Sequence, residues 1–120
     1  MTDRMREILS TLSDEAQNAA LAKCSELGLD PDRGVVSLQE SFANLRAARN
    51  MLIDAIDQGK LAQLPISIQT SLTTNVEAVG RALTGLIGGA DEVVNLATAV
   101  EQLNAAMWQY GMRNLSGEDF

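Results

Sequence analysis

Few residues in this chain could do chemistry, and their spacing decides what each could do. The sequence has one cysteine and no histidine, which removes Ser-His and Cys-His dyads, His-ligated zinc and haem, and the ordinary protonation switch near neutral pH. The lone Cys24 would need a cation to stabilise its thiolate, and Lys23, adjacent in sequence, points about 100° away on a helix. Cys24 therefore reads as a small helix filler, partly buried. Asp54 and Asp57 are spaced i, i+3, as a carboxylate pair for metal or acid-base work would be. The apolar series runs through Leu52 and Ile56, so the pair falls on or near the solvent side, and the Glu-x-x-His signature of di-iron bundles cannot exist here.

Asp30, Asp32 and Gly34 resemble the start of a calcium loop, but the match ends there. Gly34 stands where a third oxygen ligand belongs, Val35 replaces the turn glycine, and Ser41 occupies the place of the closing glutamate. An Asp-Pro-Asp turn is the simpler reading. The Gly85 to Gly89 stretch has neither a preceding strand nor a following Gly-Lys-Ser/Thr, so it is no phosphate loop. The expectation is a protein that is not an enzyme, with no catalytic residue, cofactor or metal.

Two side chains stand out for binding rather than catalysis. Arg49 sits in an otherwise apolar series, where it can snorkel to solvent, pair with an acid from a neighbouring helix, or point at an anionic ligand or partner. Trp108 lies beside the apolar series of the last helix, where its ring either covers the end of the fold or anchors a partner.

The elements that must position these residues follow from hydrophobic spacing. Val93, Leu96, Val100, Leu103, Met107 and Tyr110 recur every three or four residues, as do Leu72, Val76, Val79, Leu83 and Leu86, and Leu38, Phe42, Leu45, Arg49, Leu52 and Ile56. That period places one helical face inside. The N-terminal series Met5, Leu9, Leu12, Ala16, Ala19, Lys23 is less regular, and Ser13-Asp14 could bend or split its helix. Ser37 to Glu40 has capping-box form, Pro65 suits a first helical turn, and Gly59 and Gly88-Gly89 suit helix ends. The spacing predicts helices near 3–28, 37–59, 65–88 and 91–114 in a single domain. Short connections and matched lengths predict an all-α fold, an antiparallel up-down-up-down four-helix bundle.

Charge then locates a surface. Net charge is −7, yet residues 1–60 carry ten acids and seven bases against six and two in residues 61–120. The last two helices show Thr, Ser, Asn and Ala where solvated helices show Lys and Glu. Such faces desolvate cheaply. The expected function is a non-catalytic protein-protein interaction or self-association module, standing alone or as the N-terminal domain of a longer protein, with Arg49, Thr73, Arg81, Asn95, Asn104 and Trp108 as its candidate surface. The alternative is a small-ligand-binding or sensory bundle with its site near Arg49 and Arg81. The partner is expected to be a second copy or another protein. The negative charge argues against nucleic acid and anionic lipid. No stretch approaches the ~18 apolar residues of a membrane span, and the N-terminal residues contain no apolar signal core. With one cysteine, a cytoplasmic location is expected.

Overall fold

A computed structural model describes residues 2–28, 37–90 and 92–111. Within them the chain is all-helical: α1 (Thr2–Thr11), α2 (Asp14–Glu26), α3 (Leu38–Asp57), a short 3-10 turn (Leu61–Gln63), α4 (Ile66–Ile87) and α5 (Val93–Gln109). Five helices are counted where the spacing predicts four. The extra one comes from the N-terminal segment, which breaks in two. Ser13 adopts an extended backbone and its hydroxyl accepts from the Ala16 amide, so the residue that could have continued α1 instead caps α2.

The break changes which residues face inward. A continuous helix would turn Ala16, Ala19 and Lys23 toward the core. After the cap, the buried positions are Gln17, Ala20 and Cys24, one residue further on, a rotation of about 100°. Lys23 is thereby kept off the core; its chain lies against the turn between α4 and α5, near Gly89.

The other boundaries follow the local chemistry. The Ser37 hydroxyl accepts from the Glu40 amide and opens α3. Gly59 and Gly89 have φ of +72° and +103°, the left-handed conformation that ends helices and favours glycine. Pro65 stands immediately before α4 with no side-chain cap. Its place is supported by Gln69, whose amide nitrogen donates to the carbonyls of Ala62 and Leu64 at 3.2 and 2.8 Å. The calcium-like stretch at Asp30 to Gly34, the predicted end of the last helix at 112–114 and Asp91 lie outside the described residues.

Packing pairs α4 with α5, α1 and α2, and α3 with α5 and α1. The pairs α1–α4, α4–α5, α5–α3 and α3–α1 close a ring around one core. Phe42, Leu45, Leu52, Leu72, Val76, Val79, Leu86, Leu96 and Leu103 are completely enclosed there, together with Met5 and Leu9 of α1. The apolar spacing of α4 is buried at every predicted position, from Leu72 to Leu86. In α5, Val93 and Tyr110 at the ends of the series are only partly covered. In α3 the buried stripe takes in Ala48 and Ala55 beside Leu45 and Leu52, which leaves Arg49 on its edge.

Candidate interaction surface

The six candidate residues do not form one patch. Arg49 projects from α3 to the α1–α2 break, where Nη1 donates to the Leu12 carbonyl and Nη2 to Asp14 at 3.1 Å. Arg46, one turn earlier, lies 3.4 Å from the same carboxylate. The Arg49 side chain is only 15% exposed. Of the three uses open to this arginine, it is engaged with an acid from another helix and with a carbonyl that α1 leaves without an intrahelical donor. Gln17, fully buried, donates to that same carbonyl at 3.2 Å. Neither Gln17 nor Gln69 stands out in the sequence. Gln69 does fall three residues before Leu72, on the apolar series, which is the signal that could have found it.

Arg81 and Asn95 do come together. They line an open groove of about 420 Å³ between α4 and α5, whose other walls include Ala78, Ala82, Gly85, Thr98, Ala99 and Gln102. Gly85 gives the floor its depth: a Cβ there would lie 2.8 Å from Cγ of Glu92, which folds over it. Asn95 in turn donates to the Glu92 carboxylate. Arg81 is 70% exposed and lies 3.9 Å from Glu77, which also accepts from Arg4 of α1 at 3.3 Å. Arg81 also borders a second groove between α1 and α4, floored by Ile8 and Gly80.

Thr73 is elsewhere on α4, half-buried, its hydroxyl donating to the Gln69 carbonyl at 2.8 Å. Thr70 and Thr74 do the same to the carbonyls of Ile66 and Thr70, and Asn75 to that of Ser71. Four polar positions within six residues thus spend a donor on their own helix. Asn104 lines a third, smaller cleft between α3 and α5. Trp108 is 62% exposed near the end of α5.

The chain matches no known protein family, no characterised protein and no solved structure. What the surface can do therefore rests on its own chemistry. Among the described residues no three of His, Cys, Asp or Glu gather where a metal ion could be held. Asp54 and Asp57 are both exposed, and Asp57 accepts from Arg6 of α1. Cys24 is buried inside α2. No helix among the described residues is long and apolar enough to cross a membrane.

Proposed function

We propose that this chain is a non-catalytic interaction module that self-associates, or binds another helical protein, through the outer face of α4 and α5. One observation carries the reading. Helices α1 to α3 hold thirteen charged residues, whereas α4 and α5 hold only Glu77, Arg81 and Glu101. Burying a charged face would require every ion to be paired again; burying this one requires little. Thr70, Thr73 and Thr74 already donate to backbone carbonyls, so their hydroxyls lose less on leaving water than free ones would. The small side chains of Ala78, Ala82, Gly85 and Ala99 along the groove leave room for another backbone to approach.

The size is adequate. An α-helix of 22 residues is about 33 Å long, and two such helices about 9 Å apart present roughly 600 Å² in outline. That is close to the ~800 Å² per partner of a standard interface. Arg81, exposed at the edge of the groove, supplies a charge to fix orientation.

The ligand-binding alternative near Arg49 is weaker, because that guanidinium is already committed to Leu12 and Asp14. Net charge of −7 supports protein rather than nucleic acid or anionic membrane as the partner, and the single buried cysteine suits a cytoplasmic setting. The test is native mass by light scattering between 1 and 200 µM together with affinity capture. Concentration-dependent mass above 12.9 kDa, or a stoichiometric captured partner lost on substitution in the groove, supports the reading. A constant 12.9 kDa species that captures nothing rejects it.

A further inference from the structure

The few charges of α4 and α5 specify more than the location of a face. Arg81 lies two residues from the buried Val79 and two from the buried Leu83, and Glu101 stands in the same relation to Ala99 and Leu103. Two residues turn a helix by about 200°, so both side chains point away from the core. In α5 the exposed positions Val94, Thr98, Glu101 and Ala105 recur at steps of 4, 3 and 4, a second seam on the outside of the helix. Val94 at its start is 67% exposed. Glu77, the other charge of α4, is turned toward α1, where Arg4 donates to it at 3.3 Å. Arg81 approaches Glu77 only to 3.9 Å, and the helical neighbours of Glu101 at positions 97, 98, 104 and 105 include no cation. The outward ridges of the two helices therefore carry one cation and one anion, in a chain whose net charge is −7. Two copies repel over most of their surface and least over this one.

We infer that the partner is a second copy of this chain, docked about a twofold axis that runs along the helices, so that α4 of each copy lies on α5 of the other and Arg81 of each meets Glu101 of the other. The docking rests on the association through α4 and α5 proposed above. A twofold interface is self-complementary, so the residue that Arg81 meets across it must meet Arg81 in return. One cation and one anion satisfy that condition. Their heights agree as well. Gly85 lies beside Glu92, and with the helices antiparallel from that level Arg81 is level with Leu96, five residues from Glu101. Five residues are about 7.5 Å along the axis, an offset that the long arginine side chain spans. The other possible twofold, running across the helices, would set α4 on α4 and α5 on α5 and bring neither charge to its opposite. The axis along the helices also leaves every neighbouring pair among the four antiparallel, the ordinary arrangement of a bundle.

The experiment is a mixing test. Native mass is measured by light scattering between 1 and 200 µM for the original chain, for Arg81→Glu, for Glu101→Arg and for an equimolar mixture of the two variants, with melting temperatures to verify folding. Alone, each variant sets like charges against each other at both contacts, and its dissociation constant should rise roughly tenfold or more. In the mixture the two acidic positions of one variant face the two basic positions of the other. One-to-one dimers are expected there at concentrations at which each variant alone is a single chain. The inference is overturned by variants that associate as the original does, or by a mixture no more associated than its components. Where the original associates and the mixture does not, the docking arrangement alone fails; a single-chain mass for the original at every concentration overturns the self-association as well.

Discussion

The α1–α3 region and the α4–α5 pair use opposite means to hold their helices. In the first, polar side chains reach across elements: Arg49 and Arg46 clamp Asp14, and Arg6 meets Asp57. In the second, polar side chains turn back onto their own helix, as Thr70, Thr73, Thr74 and Asn75 do, and the two helices are joined by apolar contact and a glycine turn. Cross-helix ties fix an arrangement and need an accessible, solvated rim. Self-satisfied hydroxyls fix nothing beyond their own turn, and they leave an outer face that can be covered at small cost. The proposal that α4–α5 is the face for a partner rests on this difference.

The apolar seam is common to both regions, and breaking it should have the largest effect in either. Phe42→Ala in α3 and Leu103→Ala in α5 should lower stability by about 3–5 and 2–5 kcal/mol respectively, read as a fall in the urea midpoint. Values far apart beyond these ranges would mean that one region is not truly packed. The next effect separates the regions. Arg49→Ala removes a partly buried donor from the Leu12 carbonyl and should cost about 1.5–3 kcal/mol, with the exposed Asp14 contact adding little. Arg81→Ala, at a 70% exposed position, should change stability by no more than about 0.5 kcal/mol. Equal losses at the two arginines would erase the contrast.

Between these lie the backbone devices. Gly89→Ala places a side chain at φ +103° and should cost about 1–2 kcal/mol by thermal melting. Ser13→Ala should cost about 1 kcal/mol through loss of the α2 cap. Slower amide exchange across residues 12–17 in that variant would show that the helix closes over the break once the cap is lost, and faster exchange that only the start of α2 frays. Smallest is Gly85→Ala. Gain of helix propensity, up to about 1 kcal/mol, opposes displacement of the flexible Glu92 side chain, so stability should barely move while the groove loses depth.

Much of this was legible in the sequence, and the failures have a common cause. The seams of α4 and α5 could be read directly because a run of three-four spacing has one inward face whatever surrounds it. Ser37 and Gly59 announced their boundaries by local chemistry. The N-terminal helix was ambiguous because Leu12 to Lys23 satisfies the spacing rule as a continuous helix, and only the Ser13 hydroxyl bonding to Ala16 shows which register the chain uses. Arg49 was visible as an anomaly, but its partner is 35 residues away, and no local pattern encodes that. The candidate surface was found as a deficit of charge. Its subdivision into separate grooves, with Asn95 and Arg81 in one and Asn104 in another, depends on which helices are neighbours in the ring.

Ala78→Glu gives the most direct test of the proposed role of α4–α5. Ala78 lines the groove without belonging to the fully enclosed core, and glutamate is a good helix former. Native mass should be measured by light scattering from 1 to 200 µM for the original chain and for Ala78→Glu, with melting temperatures alongside. The expected result is a mass that rises with concentration above 12.9 kDa for the original chain and stays at the single-chain value for the variant, at nearly unchanged melting temperature. A constant single-chain mass for the original, or the same rise in both proteins, would contradict self-association through this face.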